Sequence, residues 1–281
     1  LCIPNNYKQV HIHEPIFNKD DILNVTNCIK STIVSTRGNY IDSYSQKLQK
    51  FTGCKYILLT SSGTAALFLS LKTINVEKCE VLLPSMTFVA TPNSIIEANG
   101  IPNFIDSSKD SLNISASKLT QYLQKIAIMK DKVCVNKITG RVIKAIIVVH
   151  AYGNPANLAS IKKISKKYNI EIIEDGAGVL GSFCNKKHIG TTSRCSIISF
   201  NGNKIITTGM GGAILFRNKN GTDDSGVNNV VSIGLQVADG ATSQGFINYV
   251  RTGNNNGKFT FSQRTASGTY VEAMTITGSR V

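Results

Sequence analysis

Between Asp20 and about Arg217 the chain alternates between stretches with apolar residues at helical spacing and short runs that are apolar at consecutive positions. The first kind predicts helices at Asp21–Lys30, Ser43–Phe51, Gly63–Thr73, Thr91–Ala98, Ser115–Ile128 and Ala156–Tyr168. The second predicts strands at Tyr56–Leu59, Glu80–Leu83, Pro102–Ile105, Ala145–His150, Ile170–Ile173, Ser196–Phe200 and Ala213–Phe216. Strands so short, apolar toward both sides and separated by helices imply an α/β fold, a mostly parallel sheet with helices on both faces.

After Asn218 the pattern changes. Lys219–Gly226 (KNGTDDSG) is polar and contains glycine, which reads as a linker. Beyond it, Gly, Thr, Ser and Asn surround alternating β-branched and aromatic residues, which predicts a small β-rich segment. One hairpin is expected to pair Lys258–Gln263 with Thr269–Ile276 across Arg264–Gly268. The chain therefore divides into residues 1–218 and 219–281.

Charge narrows the function classes. From Lys219 onward five basic and four acidic residues nearly cancel, so almost all of the net charge of +14 lies in the first part. Its lysines are spread through helical stretches such as Ile161–Tyr168 (IKKISKKY), with no basic run interleaved with aromatics, which argues against nucleic acid as a partner. Attraction of phosphorylated small molecules is the milder use of such charge. No run approaches the roughly 18–20 apolar residues of a membrane span. Leu1–Val10 lacks the basic start and apolar run of a signal peptide, so a cytoplasmic address is expected. The seven cysteines are scattered without a CxxC pair, which favours free thiols over a disulfide framework or a zinc knuckle.

Three segments carry candidate chemistry. In Ser196–Ala213 a strand leads through a polar turn to Lys204 and a glycine cluster. A lysine beyond a strand end can form a Schiff base with an aldehyde cofactor, although a surface lysine has the same local pattern. In Ile170–Ser182 (IEIIEDGAGVLGS) Glu174 and Asp175 close an apolar strand, at the edge where open α/β sheets bind ligands. A carboxylate there can keep a pyridinium nitrogen protonated, or can equally serve as a helix cap or metal ligand. In Thr60–Leu67 (TSSGTAAL) a strand ends in hydroxyl residues and a helix starts at a glycine, which suits a phosphate or an ordinary N-cap. His11 and His13 form an HxH, but no second cluster is spaced to complete a metal site.

Taken together, the three segments resemble the DegT/StrS-type nucleotide-sugar aminotransferases, of the aspartate aminotransferase fold. Further motifs support the resemblance over about the first 217 residues: His13–Pro15 (HEP), Ser35–Asp42 (STRGNYID), Pro84–Phe88 (PSMTF), His150–Pro155 (HAYGNP) and Ser199–Lys204 (SFNGNK). His188 lies in another family-like stretch, Lys186–Gly190, without a catalytic role assigned to it. The resemblance implies pyridoxal 5'-phosphate as cofactor and Lys204 as the Schiff-base lysine and proton shuttle. It further implies that Asp175 pairs with the ring nitrogen, that Ser62, Gly63, Thr64 and Ser199 hold the phosphate, and that Phe88 stacks on the ring. A nucleotide-linked keto-deoxy sugar and an amino-acid donor, glutamate, are the implied substrates, and a homodimer the implied assembly. A sugar dehydratase on the same scaffold is disfavoured, because such relatives carry histidine where Lys204 stands.

The chain departs from the family pattern at Gly178, where a larger polar residue is common, and at Met210, which interrupts a glycine run. Nothing after Asn218 resembles the family's small closing domain, and the segment from Val237 faintly resembles phage tail pieces. The chain is therefore expected to be truncated relative to its relatives, to bind cofactor and to turn over slowly. The rival expectation is a structural or adhesion protein carrying an aminotransferase relic.

Overall fold

A computed structural model describes residues 15–216 in full and, further on, the backbone of the strands Val230–Gln236, Gln244–Arg251, Asn256–Arg264 and Tyr270–Ser279. His11, His13 and Glu14 of the N-terminal motif lie outside the described residues. The chain falls into two compact units, Leu1–Asn218 and Lys219–Val281.

The first unit opens with α1 (Lys19–Lys30), capped by Asn18 and Asp21 in a reciprocal capping box, and α2 (Asn39–Thr52), ended by left-handed Gly53. Then come β1 (Tyr56–Thr60), α3 (Gly63–Thr73), β2 (Glu80–Pro84), α4 (Ala90–Glu97), β3 (Ile101–Ile105) and α5 (Ala116–Ile126). A hairpin of β4 (Ala127–Lys130) and β5 (Val133–Asn136) precedes β6 (Ile143–Val149), α6 (Leu158–Tyr168) and β7 (Glu171–Asp175). A two-residue ribbon of β8 (Phe183–Cys184) and β9 (Lys187–His188) leads to β10 (Cys195–Ser199) and β11 (Gly212–Phe216).

Seven strands form one sheet in the order β1-β11-β10-β7-β6-β2-β3. The run from β10 to β3 is parallel, and β11 alone runs against its neighbours β10 and β1. Period-two alternation sends side chains of each strand to opposite layers. Val81, Leu83, Ala145, Ile147, Ile173, Ile197 and Ile214 pack with α3 and α4 on one face. Leu82, Ile146, Val148 and Ile172 pack with α5 and α6 on the other, where Ile198, Ala213 and Leu215 meet α2. The expected α/β architecture, a mostly parallel sheet covered on both sides, is the observed one.

One element differs from expectation. The helix expected to reach Ile128 stops at Ile126, and Ala127 turns extended to start the β4–β5 hairpin. The apolar run Ala127-Ile128-Met129 suits either helix or strand; a distant polar group fixes the choice. Buried Glu80 accepts hydrogen bonds from Asn103 Nδ2 (2.8 Å), Asn136 Nδ2 (3.0 Å) and Thr139 Oγ1 (2.5 Å), latching the hairpin region to the sheet.

In the second unit four strands make an antiparallel sheet in chain order. Its last hairpin pairs Asn256–Arg264 with Tyr270–Ser279, Phe259 standing opposite Ile276.

The start of β11 touches the start of α3 backbone to backbone. A Cβ on Gly212 would lie 2.5 Å from the Ser62 carbonyl carbon and 2.6 Å from the Gly63 nitrogen; one on Gly63 would lie 2.8 Å from Ser199 Cβ. Backbone cannot yield as a flexible side chain does, so Gly212→Ala is expected to destabilise the first unit by about 1–3 kcal/mol. Urea denaturation checks this; an unchanged midpoint would contradict the close contact.

Candidate active site

The parallel strands bring their carboxyl ends to one sheet edge, where doubly wound sheets bind ligands. Loops after β1, β2, β6, β7 and β10 enclose there a cavity of about 630 Å³. Every residue assigned to the site from the sequence lines it: Ser62, Gly63, Thr64, Phe88, Asp175, Ser199 and Lys204. They come from four separate segments between positions 62 and 204.

Ser62 caps α3, its Oγ accepting from the Ala65 amide at 3.0 Å while its own O–H is left to donate. The positive end of the α3 dipole thus opens on the cavity beside Thr64, a setting that favours an anion. Ser199, at the end of β10, lies against Gly63, with its Oγ accepting from the Asn201 amide at 3.4 Å. Lys204 follows in a turn closed by its own amide on the Asn201 carbonyl (2.9 Å), and is half-buried. Phe88 forms part of the wall but is 77 % exposed, so one face of its ring is open to the cavity and solvent.

Asp175 is 8 % exposed and does not depend on a charged partner for its hydrogen bonds. Its Oδ2 accepts from Thr91 Oγ1 at 2.7 Å and its Oδ1 from the Ala177 amide at 3.2 Å; Thr87 Oγ1 donates in turn to Thr91 at 2.8 Å. Sequence reasoning missed Thr91. Its signal was the one-turn spacing from Phe88, which sets both on the cavity side of α4 and the turn before it.

The paired acids of the sequence separate. Asp175 lines the cavity, whereas Glu174, its neighbour on the strand, is buried with His150. The Ala156 amide donates to His150 Nδ1 (3.0 Å), so the ring proton sits on Nε2 and is donated to Glu174 Oε2 at 3.0 Å. Glu174 also accepts from the Gly190 (3.2 Å) and Ser193 (3.1 Å) amides. Burial pushes its carboxyl pKa up, but the hydrogen bonds from His150 and Ser193 and nearby Lys162 bring the net shift down. His188 is structural: the Gly181 amide donates to its Nε2 (3.1 Å) and its Nδ1 meets the Ile189 carbonyl (2.5 Å). Burial lowers its pKa.

Gly178 and Met210 both line the cavity. A Cβ at 178 would only reach ordinary contact, 3.7 Å from the Gly153 nitrogen, so the backbone there leaves room for a side chain. Met210 stands exposed between Gly209 (φ 80°) and Gly211 (φ 137°). No group of three or more His, Cys, Asp or Glu residues able to hold a metal ion occurs among the described residues, and no helix among them is long and apolar enough to cross a membrane.

The family model of the DegT/DnrJ/EryC1/StrS aminotransferases matches residues 15–242. The chain belongs to that family. The match runs past the boundary between the two units at Asn218. GDP-perosamine synthase of Escherichia coli O157:H7 is 33 % identical over 213 residues, 75 % of this chain and 54 % of that protein. Among solved structures, Helicobacter pylori PseC, an aminotransferase of pseudaminic acid biosynthesis, superposes with TM-score 0.63 and 26 % identity over 76 % of this chain and 53 % of its own. The PLP form of the sugar aminotransferase Spr1654 from Streptococcus pneumoniae gives TM-score 0.64 at 22 % identity, covering 76 % of this chain and 55 % of that one. The chain thus spans about half the length of the relatives it matches.

Glu174 and His188 are two groups expected to contribute to the acid side of stability. Each binds fewer protons folded than unfolded: Glu174 between its lowered value and the ordinary glutamate range, His188 between its lowered value and 6.5. Stability therefore rises with pH through each window and is lost as pH falls through the folded values. The urea midpoint is expected to drop between pH 7 and pH 5, and to drop less in His188→Gln. An equal drop in both proteins would remove His188 from the explanation.

Proposed function

We propose that the first unit is the cofactor-carrying domain of a pyridoxal-phosphate-dependent aminotransferase that passes an amino group from an amino-acid donor, glutamate, to the keto carbon of a nucleotide-linked sugar. One observation carries the reading: a lysine, a carboxylate, an aromatic face and a helix N-terminus, far apart in sequence, line one cavity of cofactor size. Curated relatives named as GDP-perosamine synthase and as a UDP-linked altrosamine transaminase support the substrate class. The PLP form of Spr1654 supports the cofactor.

The donor set fits that group. Ser62, Gly63, Thr64 and Ser199 would hold its phosphate at the α3 terminus, and the glycines leave the backbone bare where the anion approaches. Phe88 would cover one ring face. Asp175, its two oxygens already fixed by Thr91 and Ala177, would hold a proton on the ring nitrogen. Lys204 would hold the group through its amine, and as a free amine would take up the proton at the donor Cα and return it on the same face. Pyridoxal phosphate supplies the aldehyde and an electron-withdrawing ring; the chain supplies position and protons. A second copy of the chain is the proposed partner, to be read by sedimentation.

Glutamate added to the chain loaded with pyridoxal phosphate is expected to bleach the visible band. Asp175→Asn should bind the cofactor but bleach at least about tenfold more slowly. A band that no amino acid changes would contradict the transaminase reading.

A further inference from the structure

The turn after β6 holds a closely confined stretch of backbone at the cavity wall. Tyr152 has φ 53° and ψ 28°, the left-handed region that a bulky L-residue rarely adopts. Its neighbours are held on every side. The His150 amide donates to the Asp175 carbonyl (3.1 Å), which ties the turn to the strand bearing the cavity carboxylate. The Ala151 amide donates to Asn113 Oδ1 (2.8 Å), and Asn113 Nδ2 donates to the Asn154 carbonyl (3.2 Å). Ser182 Oγ donates to the Gly153 carbonyl (2.8 Å), and a Cβ on Gly153 would lie 2.7 Å from the Gly178 oxygen. Below, the buried His150–Glu174 pair anchors the first residue of the turn.

All this order presents one side chain. Tyr152 is 83 % exposed, yet lines the same cavity as Lys204 and Asp175. Core packing explains neither the conformation nor the exposure, since the side chain is not packed in the core. In the cofactor roles above, the aromatic face is Phe88, the carboxylate Asp175, and the phosphate donors lie on α3 and β10. Tyr152 is the aromatic of the wall left without a task.

The geometry points to Tyr152 as a substrate-contacting residue, held by the His150–Asn154 turn so that its ring and hydroxyl meet the sugar ring of the acceptor. This rests on the aminotransferase reading. A pyranose offers a face of C–H bonds that packs on an aromatic ring, and hydroxyls that a phenol can donate to or accept from. Tyrosine also fixes few rotamers on binding, and the turn has already fixed its backbone.

The test uses the full chain loaded with pyridoxal phosphate, titrated calorimetrically with GDP-mannose and UDP-N-acetylglucosamine, and with GDP and UDP alone. Tyr152→Ala is expected to weaken the nucleotide-sugar that binds by roughly tenfold or more, and the matching nucleotide by less than about threefold. Tyr152→Phe should fall between, separating hydroxyl from ring. The cofactor band should be the same in all three proteins. Tyr152→Asn, which suits the left-handed conformation, should unfold no earlier than wild type, so that lost binding is not lost fold.

Binding by Tyr152→Ala within about twofold of wild type would overturn the inference. So would equal weakening of sugar-bearing and sugar-free nucleotide, which would place the ring on the nucleotide instead. A wild-type chain that shows the band but binds neither nucleotide-sugar would overturn it while leaving the cofactor site standing. A chain without the band would overturn the aminotransferase reading itself.

Discussion

Two backbones meet at the head of α3 with no space for a side chain between them. Gly212 presses on the Ser62–Gly63 peptide, and Gly63 presses on Ser199. Because β11 is hydrogen-bonded to both β1 and β10, this contact locks the loop after β1 to the end of β10 at Ser199, five residues before Lys204. The α3 end of the cavity and the segment bearing Lys204 are therefore positioned by one constraint. A side chain at either glycine would push the α3 terminus away from the lysine, and neither hydrogen bonding nor charge elsewhere could restore the distance.

A second consequence comes from strand geometry. Adjacent residues on β7 face opposite ways, so two acids in succession serve two purposes. Asp175 faces the ligand cavity with its orientation set by Thr91. Glu174 faces inward, where His150 and two amides satisfy it. The inward acid supports the turn after β6; the outward one is free for chemistry. The same strand thus carries both the site and part of its scaffold.

Much of this was legible in the sequence because the sheet is covered on both faces. Its strands are then apolar on both faces over most of their length, and a run such as Ala145–Val149 announces itself. The helix Gly63–Thr73 was delimited by its glycine start and apolar face. The β4–β5 hairpin was not legible, since the buried Glu80 that anchors it lies some fifty residues upstream. The cavity residues were recognisable as motifs, but their convergence depends on strand order, which no local pattern encodes. Thr91 and the Glu174–His150 pair escaped for the same reason: the bonded partners lie 84 and 24 positions apart, and only the fold brings them together.

The central claim is that Lys204 carries the cofactor. Borohydride reduction of the chain after incubation with pyridoxal phosphate, followed by peptide mapping, tests it most directly, with Lys204→Ala alongside. The mass of the reduced cofactor should appear on the peptide containing Lys204 and nowhere in the variant. Label spread over several of the exposed lysines, or equal label in Lys204→Ala, would mean that the cavity at the sheet edge is not a pyridoxal phosphate site.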